Sequence, residues 1–433
     1  MATPPGSTGL PIVGEALKFL ADPFTFQLER TRTHGPIWKT KILGDTVVFF
    51  VGPKAFSFFL DPDNFTREQG SPPHMRAILH PDAVPFIDGE RHKARKRLLL
   101  QAFTPDALAS YLPALDALLA RYLTSWAGPP EVRLADELSK LAFDLANVLF
   151  AAADPQVHDA ARAADFAAMV KGMFSPPIKL PWSAYGKALK ARDRLRAYIH
   201  EAVATRSGEG TALAVLKAAR GPDGAGLTPE ELEIELLHFF GALHAAVAGA
   251  LAWMVVALDR HPAMRERIAA EAAPLATGPL TRAAIEALAY TRAVVREVLR
   301  AFPIAPSTFV GVARKDLEID GFRIKAGWKG AGAIWPTLQD GATFRDPATF
   351  DDARLTDAAL AALPKHAFVP QGGGPPDGHL CAGIALTDLL LPLFAARLTH
   401  GYAAALPAQD LSVGRGGLGP LPAGGLRARI TRR

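Results

Sequence analysis

The chain has 433 residues, of which 49% are hydrophobic and 21% charged, the balance of a globular protein rather than a disordered or low-complexity one. A single cysteine excludes an internal disulfide framework and any multi-cysteine zinc or iron–sulfur site, and it fits a reducing compartment. The 48 basic residues exceed the 43 acidic ones to give a net charge of +5, without the broad basic field of a nucleic-acid binder.

The N-terminus, Met1-Ala2-Thr3-Pro4-Pro5-Gly6, has neither a basic n-region nor an apolar h-region. No secretory signal is visible, and a cytoplasmic location is expected. Residues 37–51 are rich in Thr, Val, Ile and Phe around a Gly44-Asp45 turn, and they predict strands. A basic run follows, Arg91-His92-Lys93-Ala94-Arg95-Lys96-Arg97. It reads as a solvated helix face, a nucleic-acid contact, or an anion site for a bound cofactor. Apolar residues at helical spacing predict helices over Pro105–Trp126, 134–152, Ala184–Thr205, Pro229–Arg260 and 283–301. Residues 207–226 read as a flexible loop. Residues 317–324 carry an Asp320-Gly321 turn and predict a hairpin.

The stretch 236–258 is nearly all apolar, broken only by His238 and His244. It is long enough to span a bilayer. A helix start precedes it at Thr228-Pro229-Glu230-Glu231, with a capping residue, Pro at the first position and Glu three residues on. A helix apolar on every side is equally the buried centre of a large soluble protein, and no membrane span is expected. At 1.5 Å per residue, Pro229–Arg260 would be about 48 Å long. The fold class is mainly α with a small β region. The whole chain, 1–433, reads as one domain in which N-terminal strands at about 30–55 pair with strands at about 305–335.

Cys381 lies in a stretch crowded with Gly and Pro, residues 368–383, ahead of an apolar helical pattern at 384–398. The helix dipole and free backbone N–H groups there favour a thiolate. A thiolate serves as nucleophile or metal ligand; the alternative is a buried, inert cysteine. Glu297 and Arg300, three apart on a helix, share one face and can pair. Arg354, further on, could join them.

Taken in order, these features resemble a cytochrome P450, a haem-thiolate oxygenase. The order is a long central helix, Glu297-x-x-Arg300, the Arg354 that follows Phe350, then the Gly-rich loop with the single Cys. The resemblance covers nearly the whole chain from Leu10-Pro11-Ile12-Val13-Gly14 onward. It implies the family's fold, with the central helix across the distal face of haem b and Cys381 as the iron's axial ligand. Thiolate donation favours O–O cleavage. By the same resemblance Glu297, Arg300 and Arg354 form a structural triad, while His92, Lys96 and His379 bind the haem propionates. His92 and Lys96 stand one helical turn apart, which suits two carboxylates.

Three departures from the family are visible. Relatives carry an acid and an alcohol in the central helix for proton delivery to dioxygen; here that pair falls on Ala245-Ala246, and neither relays a proton. His244 precedes them in a helix so apolar that an isolated imidazole needs a polar neighbour. It reads as a distal-pocket residue or as a satisfied core histidine. The loop sequence Pro370-Gln371-Gly372-Gly373-Gly374, followed by Gly378-His379-Leu380-Cys381-Ala382-Gly383, resembles bacterial fatty-acid peroxygenases of the same superfamily, whose substrate-gripping Arg-Pro is His244-Ala245 here. The N-terminal half, including residues 178–182 and 186–192, resembles the branch that handles retinoids and sterols. Gly311 falls where an Arg for a propionate is expected.

The resemblance therefore implies oxygen insertion into a hydrophobic small molecule, with the substrate beside His244, Ala245 and Val247. Hydrogen peroxide is the leading oxidant because the dioxygen relay is missing. The alternative is a dioxygen-dependent monooxygenase fed by a separate ferredoxin or flavoprotein, since no FMN, NAD or iron–sulfur module is encoded. An isomerase or dehydratase acting on a preformed peroxide, and a non-catalytic haem sensor or carrier, are the remaining readings.

Overall fold

The computed structural model describes residues 2–414 and 420–433. They fall into two compact units. One comprises residues 2–93, Pro303–Phe350 and Ala359–Cys381; the other comprises Ala94–Phe302, Asp351–Ala358 and Ala382–Arg433.

The first unit is built on a six-stranded mixed sheet. Ile37–Ile42 and Asp45–Phe50 pair antiparallel, with Ile42 opposite Asp45. The turn between them is Leu43-Gly44, one residue earlier than the sequence suggested, and both residues have positive φ (51° and 90°). That geometry matches the right-handed twist of the strands. Asp45–Phe50 runs parallel to Lys329–Gly332, with Val47 opposite Lys329. Gly311–Ala313 continues the sheet antiparallel to Lys329–Gly332, and Phe65–Thr66 forms the edge beside it. Alternation along the strands sends side chains to both faces, and both are covered. Val48, Phe50, Phe59 and Phe65 pack on one side, Trp38, Val47 and Phe49 on the other. Leu317–Ile319 and Phe322–Ile324 form a separate hairpin, with Asp320 and Gly321 again at positive φ.

The second unit is mostly helical. Its longest helix, Pro229–Arg260, starts at the expected capping box: Glu231 N–H donates to Thr228 Oγ1 (3.2 Å) and Thr228 N–H to Glu231 Oε2 (2.9 Å). Among the described residues it is the one helix long and apolar enough to cross a membrane, yet 76% of its most apolar window is buried inside the fold. It packs on Leu134–Ala151, Ala184–Thr205 and Ala289–Ala301. Trp253 on this helix is buried; its ring stacks 3.9 Å from Phe302 and its Nε1 donates to the Pro420 carbonyl at 2.6 Å.

The helix expected over 283–301 is two helices, Arg282–Glu286 and Ala289–Ala301. The break has a physical cause. Glu271 accepts the backbone N–H groups of Tyr290 and Thr291, each at 2.8 Å, and so caps a new helix start from outside. A three-stranded sheet closes this unit, with Arg427–Arg432 between Tyr402–Ala405 and Val132–Arg133.

Candidate active site

Cys381 is exposed and stands three residues before helix Ile384–Gly401. The loop leading to it depends on glycine for backbone reasons. Gly372 (φ 82°) and Gly374 (φ 111°) adopt conformations that side chains oppose, and a Cβ at either would meet nothing within 4 Å. Gly373 is different: a Cβ there would stand 2.9 Å from Leu60 Cδ1 and 3.0 Å from His366 Cδ2, so those side chains would have to shift to admit one.

Two residues before the cysteine, His379 Nε2 bonds Asp88 Oδ1 at 2.7 Å. Its ring lies 4.1 Å from that of His92. Asp88 also accepts from Thr66 Oγ1 at 2.5 Å and from the Arg67 backbone N–H. Burial opposes charge on Asp88, but the bonds from His379 and Thr66 outweigh it and hold the carboxyl well below its usual range. Asp88 thus ties strand Phe65–Thr66 to the cysteine loop. Sequence reasoning missed it, although it lies three residues ahead of the basic run.

Helix Gly89–Leu100 carries the basic run, and its polarity is inverted relative to a solvated face. His92, Arg95 and Lys96 are each only 4% exposed, while Arg91, Lys93 and Arg97 face solvent. Buried cations require anionic partners. Arg95, also missed from sequence, finds two on the central helix: Nη1 bonds Glu235 Oε1 at 2.9 Å, and Nη2 bonds Glu231. Glu235 is fully buried.

Glu297, Arg300 and Arg354 come together. Arg300 grips Glu297 with Nε at 2.7 Å and Nη2 at 2.8 Å, both side chains fully buried, and Arg354 Nε reaches Glu297 Oε1 at 3.2 Å. Asp351 N–H adds a fourth donor at 3.0 Å.

His244 points at protein. Its ring is 4.9 Å from that of Phe166, and it hydrogen-bonds the backbone of Ser139. Burial lowers its pKa to about 4, against the opposing pull of that bond. Ala246 is half-buried on the same helix. Ala245 lies on it too, and its side chain falls outside the described residues.

These residues fit haem b. An exposed thiol suits an axial ligand, and the buried basic side chains His92 and Lys96 on one helix face suit propionates. The buried Arg67 Nη1, which has no hydrogen-bond partner, adds a donor of the same kind.

The comparisons agree. The family model "Cytochrome P450" matches residues 4–410. The "Putative cytochrome P450 120" of Synechocystis sp. (strain ATCC 27184 / PCC 6803 / Kazusa) is 33% identical over 421 residues, 95% of this chain and 93% of that one. The solved structure "Retinoic acid bound cyanobacterial CYP120A1" superposes with a TM-score of 0.90 at 32% identity, covering 100% of both chains. A solved variant of cytochrome P450SP alpha (CYP152B1) has a TM-score of 0.80 at 24% identity over 97% of this chain and 99% of that one, a likeness of fold. The chain belongs to the cytochrome P450 family, whose members are haem-dependent monooxygenases binding haem b.

Proposed function

We propose that the chain inserts oxygen from hydrogen peroxide into a hydrophobic small molecule of the retinoid kind, with Cys381 as the axial ligand. The observation that carries the oxidant is the helix segment His244-Ala245-Ala246. Alanine moves no proton, and His244 is neutral at working pH because its pKa is about 4. Dioxygen needs a proton relay that this segment lacks. Peroxide already carries both electrons and both protons and needs only one proton moved between its oxygens. A neutral imidazole bound to the Ser139 backbone through one nitrogen is a weak base through the other. A carboxylate on the substrate is the stronger base, and retinoic acid, the ligand named for the CYP120A1 structure, offers one.

Haem, when bound, supplies the oxygen-activating iron, and thiolate donation favours O–O cleavage. The chain's own part is to hold that group: Cys381 on the iron, and His92, Lys96 and His379 toward the propionates. Buried Glu297 and Arg300, with the partly buried Arg354, keep helix Ala289–Ala301 and the segment at 351–354 in register. The 76% burial of the central helix's apolar window supports a core helix rather than a membrane span.

The second reading is a dioxygen monooxygenase fed by a separate ferredoxin or flavoprotein. Its support is the family itself, whose members are monooxygenases. Haem-loaded protein assayed on retinoic acid, retinol, a fatty acid and a sterol separates the two. The peroxide reading expects turnover with peroxide alone, well above free haem and faster for acids than for alcohols. Turnover only with NAD(P)H and surrogate redox partners overturns it.

A further inference from the structure

Arg67 is a buried charge with one donor unsatisfied. It follows strand Phe65–Thr66, is 6% exposed, and its Nη1 has no hydrogen-bond partner. Its guanidinium lies over the Phe59 ring, 4.2 Å from the centroid. Burial lowers its pKa to about 10, with Asp88 opposing, so it stays cationic at neutral pH. A buried charged donor left unpaired costs roughly 1–3 kcal/mol or more. Such a group persists where an anion completes it.

The space around it carries a second, independent signal. A Cβ added at Gly311 would stand 2.8 Å from Arg67 Nη1 and 3.1 Å from Phe65 Cβ. Gly311 is absent from the positive-φ residues, so the backbone does not demand glycine there. A side chain at 311 would nevertheless crowd Nη1, and the Thr66 carbonyl oxygen, 3.2 Å from that Cβ position, bounds the same space. Arg67 is also joined to the cysteine loop, because its backbone N–H and His379 Nε2 bond the same Asp88 carboxylate.

We propose that Arg67 is a carboxylate-binding residue, its Nη1 seated in the space that Gly311 leaves open. This rests on the haem-thiolate reading. The carboxylate comes from one of two sources, a haem propionate or the acid group of the substrate. Its place beside Asp88 and His379 favours the propionate. An Arg–carboxylate bond is charge-assisted and among the strong ones.

The test compares the parent holoenzyme with Arg67→Ala, Arg67→Lys and the double variant Arg67→Ala/Gly311→Arg. Haem release is followed by transfer to apomyoglobin, and binding of retinoic acid and retinol by their spin-state shifts. The reduced carbonyl spectrum is recorded for each variant. If a propionate is the partner, Arg67→Ala releases haem about ten- to a hundredfold faster, Arg67→Lys falls between, and the double variant recovers much of the loss. Reconstitution with haem dimethyl ester then erases the difference between parent and Arg67→Ala. If the substrate acid is the partner, haem release is unchanged and retinoic acid binding weakens while retinol binding does not. Unchanged haem release together with unchanged retinoic acid binding in Arg67→Ala overturns the proposal while the thiolate-type carbonyl band keeps the haem-thiolate reading intact. A parent lacking that band overturns the reading itself. Should Arg67→Ala fail to fold, Arg67→Lys and the double variant decide: parent-like values in the first and no recovery in the second overturn the proposal.

Discussion

Burial brings the His244 imidazole from 6.5 down to about 4, with the Ser139 backbone bond pulling the other way. The unfolded chain therefore binds more protons at this residue than the folded one between those values. By linkage, its contribution to stability is present above about 6.5 and is lost as pH falls toward about 4. His244→Leu should flatten the slope of unfolding free energy against pH in that window, measured by urea titration at several pH values. A slope identical to the parent's contradicts the burial account. The same residue shows where sequence reading ends. A histidine in an apolar helix was legible as needing a polar neighbour, but the neighbours, Phe166 and Ser139, belong to other helices. Arg67 is a sharper case. Its partnerless Nη1 has meaning only beside Gly311, 244 positions away in the chain, and no local pattern joins the two.

Element by element, local chemistry explains most starts and stops. The capping box at Thr228, the Asp320-Gly321 turn and the apolar spacing of the long helices are all readable from neighbours within a few residues. The break at 287–288 was not, because its cause is the distant Glu271 carboxylate. Helix Gly89–Leu100 is intermediate. Its charge was legible, but which three basic residues face inward depends on helical phase and on Glu231 and Glu235 arriving from the central helix. Glu297 draws four donors to one carboxylate on helix Ala289–Ala301. Glu297→Gln keeps its shape and removes its charge, leaving Arg300 buried and uncompensated. Unfolding free energy should fall by about 3–5 kcal/mol, read from chemical denaturation. A loss under about 1 kcal/mol, the value of an exposed pair, would show that the cluster does not carry the register assigned to it.

Across the whole chain, the order of features that marks a cytochrome P450 was legible because it is an order: central helix, Glu-x-x-Arg, a later Arg, then a Gly-rich loop with one Cys. A family match running from residue 4 to 410 covers segments of both compact units. The identity of the substrate was not legible, since it depends on which side chains from distant segments surround one point in space. The account stands or falls on Cys381, the chain's only cysteine. The most direct measurement is the difference spectrum of the reduced carbonyl complex for the parent and for Cys381→Ser, each loaded with haem b. The parent should show the thiolate-type band and the serine variant should lose it while retaining haem. A thiolate-type band that survives in Cys381→Ser would contradict the axial assignment, and with it the proposed chemistry.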